Sequence, residues 1–247
     1  MRMLLLLCSL FLAWGARAEA EMDAETDFHF RAFGIEPADR VEWGEGHLTA
    51  GVDRELRPER GTRRRTVTPL EATFGLGAGF SAVVGLEGSS RTLFDDGSGS
   101  RAASREVLLK YALPAWNGLH VAAFAGANRL QDQEHHSHTR GFSLNLDTDL
   151  GTFGSGYSQD RRRPGEPHQG REWGVNWFRL WDAGPLHGWG LAAEARFVRS
   201  PLGERIDHWL LGVARVVGKG LLADVAIGGS GGDTDARRLT AGISWFY

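Results

Sequence analysis

From Leu239 onward the large or apolar side chains take alternate positions: Leu239, Ala241, Ile243, Trp245 and Tyr247. Thr240, Gly242, Ser244 and Phe246 fill the places between them. Successive side chains on a strand point to opposite faces, so this period of two predicts a strand with one oily face. The same alternation recurs back through the chain. It predicts strands over 47–56, 66–76, 79–92, 104–113, 118–130 and 139–150. The series continues over 152–160, 171–181, 188–199, 205–217 and 220–229, and closes with 239–247. Leu48, Ala50 and Val52 mark the oily face of the first segment, and Trp173, Val175 and Trp177 that of the eighth.

The connections sort into two kinds. Links at 77–79, 114–118, 151, 182–187 and 218–220 are short and often contain Gly. Those at 57–65, 93–103, 131–138, 161–170, 200–204 and 230–236 are longer or more polar. Short turns on one rim, longer loops on the other and an even strand count describe a bacterial membrane barrel. The expected fold is therefore all-β: a transmembrane antiparallel up-and-down β-barrel of about twelve strands, with short periplasmic turns and longer extracellular loops. Ten or fourteen strands stay open, because 152–160 is weak and 28–35 also alternates. A soluble β-sandwich would alternate too, but with Thr, Lys and Glu along its second face. Here the oily faces are consistently oily, and Trp173, Trp181, Trp189 and Trp245 sit near strand ends, as in the aromatic belts of membrane proteins.

A final strand ending on an aromatic residue resembles the closing strand of bacterial outer-membrane barrels. In those proteins that terminus is the signal read by the barrel-assembly machinery. The resemblance implies this role for Ile243, Trp245 and Tyr247. The other end of the chain agrees. Arg2 and an apolar run over 4–14, followed by Ala16-Arg17-Ala18 and Ala18-Glu19-Ala20, make residues 1–20 a cleaved signal peptide. Cys8 leaves with it, so the mature chain has no thiol for a disulfide or a metal site. Residues 21–46 read as a periplasmic lead-in or a lumen-entering segment, and 47–247 as the barrel. The formal charge of -3 falls to about -5 without Arg2 and Arg17 and gives no footprint for nucleic acid.

If the oily faces meet lipid, the alternate positions line the lumen. Glu71, Glu87, Arg91, Lys110, Asp147, Asp149, Glu172, Glu194, Arg196, Asp224 and Arg238 fall on that phase. Such groups would set solute selectivity in a wet channel, or pair off in a filled barrel. Leu108, Phe124, Phe178, Leu210 and Phe246 share the phase and would form an apolar path or fill space. A channel or transporter-like barrel for small solutes is the leading reading. A non-conducting envelope barrel and a lipid-modifying enzyme are the alternatives.

The chemistry of sites is sparse. His135, His136 and His138 in a loop form a weak metal candidate, because adjacent imidazoles do not readily aim at one ion. No cofactor is implied. Ser155 is expected at the opposite end from His138 and His208, so no nucleophile and base share a face and depth. The runs Arg63-Arg64-Arg65 and Arg161-Arg162-Arg163 fall at the loop rim, where lipopolysaccharide offers phosphate to arginine forks. Outer-membrane lipid and lipopolysaccharide are therefore expected partners.

The stretch TPLEATFGLGAGFSAVVGLEG at 68–88, followed by EVLLKYAL at 106–113, resembles a hairpin in a family of outer-membrane transporters named after the MetA pathway of phenol degradation. The shared pattern is a strand ending in a glycine turn, a short oily strand, then a strand bearing a Lys-Tyr pair, here Lys110-Tyr111. That resemblance implies movement of small, hydrophobic molecules and supplies no catalytic residues.

Overall fold

Twelve strands form, one on each period-two segment. They are β1 (Gly46–Leu56), β2 (Thr62–Gly77), β3 (Phe80–Phe94), β4 (Gly99–Ala112), β5 (Leu119–Leu130), β6 (Ser137–Thr148), β7 (Gly151–Arg161), β8 (Gly170–Leu180), β9 (Trp189–Arg199), β10 (Arg205–Gly218), β11 (Leu221–Gly232) and β12 (Arg237–Phe246). The structure is a computed structural model that describes residues 30, 33–34, 36–57, 61–130, 137–161, 170–199, 205–232 and 236–247. The predicted signal peptide lies outside them. Each strand pairs antiparallel with its sequence neighbours, and β1 pairs with β12 from His47↔Phe246 to Leu56↔Arg237. The sheet thus closes on itself and leaves no free edge.

Both ends of the barrel domain lie on one rim, here the terminal rim. Links 78–79, 149–150 and 219–220 are two-residue turns there, while 113–118 and 181–188 are longer, the latter holding a 3-10 turn at Gly184–Leu186. The opposite loop rim differs from expectation at 57–65, where β2 already begins at Thr62, and most at 93–103. The Gly/Ser-rich stretch 93–103 is not a loop, because β3 and β4 continue as a paired hairpin and leave only 95–98 as the turn. Asp96 closes that turn by accepting the Ser98 hydroxyl at 2.6 Å and its N–H at 2.8 Å, which holds the Asp96 carboxyl below its ordinary value.

The alternation resolves into an outer and an inner face. Leu48, Val52, Phe74, Leu109, Phe142, Val175, Leu211, Ile243 and Trp245 are exposed on the outside. Thr49, Thr73, Ser81, Lys110, Ser143, Leu210, Asp224 and Thr240 are buried on the inside. A continuous exposed apolar band around a closed barrel is stable against hydrocarbon, where every backbone group must already be paired. Aromatic side chains gather at both edges of the band. Phe80 and Tyr111 pack at 4.7 Å near the terminal rim, and Trp173 and Phe197 stack at 4.7 Å nearer the loop rim.

A β-bulge on β3 resets its phase: between Glu87 and Ser90 this strand carries one residue more than both β2 and β4. An extra residue turns every later side chain to the opposite face. Arg91 therefore faces outward and is exposed, opposite Arg101, and not into the lumen as its phase predicts. Arg65 keeps the inner phase of β2, where its Nε donates to Ser90 Oγ at 3.1 Å, so the 63–65 run is split between the two faces.

Charge is segregated by this geometry. Outward strand positions toward the loop rim carry Arg54, Arg64, Arg91, Arg101, Arg105, Arg129, Arg140, Arg161, Arg171, Arg199, Arg205 and Arg237. Asp207 is the one acidic strand residue on that outward face among the described residues. Nearly all the strand carboxylates lie on the inner face.

Candidate functional site in the barrel lumen

The lumen is not empty. The described residues from Phe30 to Asp39 run inside the barrel, and the wall is built to receive them. At the terminal rim the Gly75 N–H donates to Glu45 O at 3.0 Å. Asn145 Nδ2 on β6 then donates to Asp39 Oδ1 at 2.9 Å. Ala38, 1% exposed, packs with Ala112 of β4 and Ala122 of β5. Lys110, also 1% exposed, donates from Nζ to Pro37 O at 3.2 Å and faces Glu36 Oε1 at 3.2 Å. Burial holds the Glu36 carboxyl above its ordinary value against the pull of that ammonium.

The segment continues to the far wall. The Gly34 N–H donates to Glu194 Oε1 on β9 at 2.9 Å. Phe30 is 1% exposed and lies 5.2 Å from Phe33 and 6.1 Å from Phe178, ring to ring, over Leu210 and Ala226. Glycines make the room. A Cβ on Gly212 would fall 2.2 Å from Phe30 Cζ, and one on Gly190 would fall 2.9 Å from the Phe178 ring. The alternation at 28–35 does not make a strand at its described positions, Phe30, Phe33 and Gly34, because these side chains are spent on the lumen.

Charged side chains brace the interior. Arg196 Nη1 donates to Glu172 Oε1 at 2.7 Å, and its Nε lies 3.2 Å from Glu194 Oε2. Arg238 Nη2 donates to Asp53 Oδ2 at 2.8 Å, joining β12 to β1 across the closure. His120 lies 2.7 Å from Asp147, which also accepts the Thr152 hydroxyl at 2.7 Å. His47 lies 3.9 Å from Glu71.

Beside the segment remains a cavity of about 720 Å³. It is lined from β1, β2, β4 to β8 and β12, while the wall of β9 to β11 is covered by the Phe30 cluster. The lining includes the carboxylates of Glu36, Asp39, Asp53, Glu71, Glu106, Asp147, Asp160 and Glu172, against the guanidinium of Arg238 and the imidazole of His120.

Of the residues expected in the lumen, Glu71, Lys110, Asp147, Glu172, Glu194, Arg196, Asp224 and Arg238 take the inner phase. Glu87 sits at an inner-phase register position, opposite Pro69 and Ser104. Arg91 is outside, as above. Asp149 is not in the lumen either: β6 ends at Thr148, and Asp149 is an exposed residue of the two-residue turn. Ile243 and Trp245 face outward, and the Tyr247 N–H donates to Gly46 O at 3.0 Å, so the terminal residue is paired to the first strand. Leu108, Phe124 and Phe178 line the cavity. Phe178 and Leu210 pack with Phe30, and Leu108 and Phe124 pack with Val83.

Ser155 pairs with Leu144 and Val175 on the outward phase, while His208 opposes Arg196 on the inner one, so they do not converge. His138 is exposed on the outward face of β6, and His135 and His136 lie outside the described residues. Among the described residues no group of three His, Cys, Asp or Glu is placed to hold a metal ion.

The class this architecture defines is the closed outer-membrane type of β-barrel, and comparison with solved structures agrees. The chain is similar to an outer-membrane channel from Pseudomonas putida F1, at 10% identity and a TM-score of 0.60, covering 86% of this chain and 100% of that one. It is similar to the KdgM porin, at 10% identity and a TM-score of 0.56, covering 80% and 98%. It is also similar to the translocator domain of the autotransporter NalP from Neisseria meningitidis, at 11% identity and a TM-score of 0.55, covering 81% and 88%. At these identities the likeness is one of fold. No protein-family model matches the chain, and no curated protein matches it in sequence.

Proposed function

We propose that this protein is an outer-membrane channel for small solutes that favours cations, with the segment before β1 seated in its lumen as a constriction. The observation that carries this reading is the cavity, whose lining sets eight carboxylates against one guanidinium. Rings of like charge along a narrow aqueous path select ions of the opposite sign. Lys110 and Arg196 face Glu36 and Glu172, two of the eight, and with both counted the carboxylates still outnumber the cationic side chains by eight to three. Twelve strands enclose more space than side chains alone fill, which leaves room for a solute beside the segment.

Structural neighbours that are channels support the reading. One of them, KdgM, is described with an oligogalacturonate, an acidic sugar chain, whereas the lining here favours the opposite charge. The transport of small hydrophobic molecules implied by the hairpin at 68–88 is a narrower version of the same role. The packed Phe30 cluster favours a second reading, in which the barrel does not conduct and serves the envelope structurally. Planar-bilayer recording on the refolded mature chain separates them. Discrete conductance steps are expected, and their absence at every voltage and salt concentration would leave only the structural barrel.

A further inference from the structure

The belt of arginines on the outer face has no use in the lumen. It is also costly as it stands. Arg91 lies directly opposite Arg101, Arg105 opposite Arg129, and Arg199 opposite both Arg171 and Arg205. Like charges directly opposite on one face of a sheet repel, with Cβ atoms only about 5 Å apart. The Arg171–Arg199–Arg205 row runs unbroken across β8, β9 and β10. Within it, among the described residues, Arg205 alone has a carboxylate, Asp207, which it grips with Nε at 3.0 Å and Nη2 at 3.1 Å. Arg171 and Arg199 are exposed and make no ion pair among the described residues.

The row has a fixed depth. Immediately beneath it on the same face the exposed Trp173 stacks on Phe197, with Trp209 one strand further on. Aromatic side chains of this kind sit at the level of lipid headgroups. The arginines just beyond them therefore stand where headgroup phosphates lie, and guanidinium forks bind phosphate through paired charge-assisted hydrogen bonds. The terminal rim shows no such surplus among the described residues. There Arg179 and Arg215 each lie over a tryptophan, Trp181 at 5.4 Å and Trp189 at 5.2 Å.

We infer that the outer face of β8 to β10 is a binding site for the phosphorylated glycolipid of the outer leaflet, with Arg171 and Arg199 as its phosphate ligands. The site neutralises the opposed arginines and fixes which rim faces outward. It requires the barrel to sit in an outer membrane, but not that it conducts.

The test is titration of the refolded mature chain in neutral detergent with bisphosphorylated lipid A, with its dephosphorylated form, and with inorganic phosphate as competitor. Bound lipid is read by native mass spectrometry. Bisphosphorylated lipid A should bind at least about tenfold more tightly than the dephosphorylated form. The double change Arg171→Gln, Arg199→Gln should remove at least about tenfold of that affinity, while Arg179→Gln, Arg215→Gln at the other rim should leave it within about twofold. Arg171→Lys, Arg199→Lys keeps the charge and loses the fork, and so should fall between these limits even if the glutamine pair refolds poorly. Equal binding of the two lipid forms, or equal losses from the two rims, would overturn the inference. Full displacement by millimolar phosphate would also overturn it, since the site would then be one for the free anion. Conductance steps in a protein that fails this test would leave the channel reading intact.

Discussion

Truncating Phe30 should release the lumen segment without disturbing the barrel. Phe30 is 1% exposed and touches the wall through Phe178, Leu210 and the space left by Gly212. Phe→Ala at a packed site costs about 3–5 kcal/mol, and here nearly all of that falls on the seated state, because the strand ladder does not include Phe30. At about 1.4 kcal/mol per decade, the equilibrium for leaving the wall rises by roughly a hundredfold or more. A cysteine reporter reads this directly, since the sole cysteine of the sequence, Cys8, lies in the predicted signal peptide. In an Ala38→Cys background the thiol sits 1%-exposed among Ala112 and Ala122, so a membrane-impermeant maleimide should react slowly. Adding Phe30→Ala should speed the reaction by about two decades if it proceeds through the released state. Heat-modifiable gel migration should stay the same. An unchanged labelling rate would refute the claim that this ring holds the segment in place.

Other outcomes follow from the same packing. Lys110→Met leaves Glu36 buried without its ammonium and should weaken seating by about 3–5 kcal/mol, seen as faster labelling at position 38; adding Glu36→Gln should recover part of the loss. Gly212→Val places a Cβ 2.2 Å from Phe30 Cζ, so it should mimic Phe30→Ala in labelling and conductance while the barrel still refolds. Seating raises the Glu36 carboxyl above its ordinary value, so the seated state binds more protons than the released one. The stability from this linkage is complete below the ordinary carboxylate value and lost as pH rises through the raised one. Channel current should therefore rise with pH across that window. The rise should vanish in Glu36→Gln, although Glu71 and His47 still face that position.

The barrel was legible because its information is local. Each strand carries its own period of two, and the closing pairing of β12 with β1 follows once the start of β1 and the end of β12 lie on one rim. The phase failed where the pattern was weak. Around 87–91 both faces are polar or small, so the bulge leaves no break in the alternation and Arg91 is misplaced. Asp149 was misplaced because β6 stops one residue short of it. A lumen-entering segment at 21–46 is one of the two readings the sequence offers, but its seating contacts were not legible, because they join positions far apart in sequence, 106 residues for Asp39 with Asn145 and 160 for Gly34 with Glu194. A trace of it was present. Lys110 stands in a strand end rich in apolar side chains and needs a partner, and Gly212 leaves a gap on the inner phase that the Phe30 ring fills. The arginine belt was visible as composition, but only the strand register set those residues opposite one another.

The reversal potential across a salt gradient tests the acidic lumen most directly. Refolded mature chain is recorded in a planar bilayer with potassium chloride tenfold more concentrated on one side, alongside Phe30→Ala and the pair Glu71→Gln, Glu106→Gln. The account predicts a cation-selective potential that keeps its sign in Phe30→Ala, where the current is larger, and moves toward zero in the glutamine pair. An anion-selective potential, or one indifferent to the glutamine pair, would contradict it.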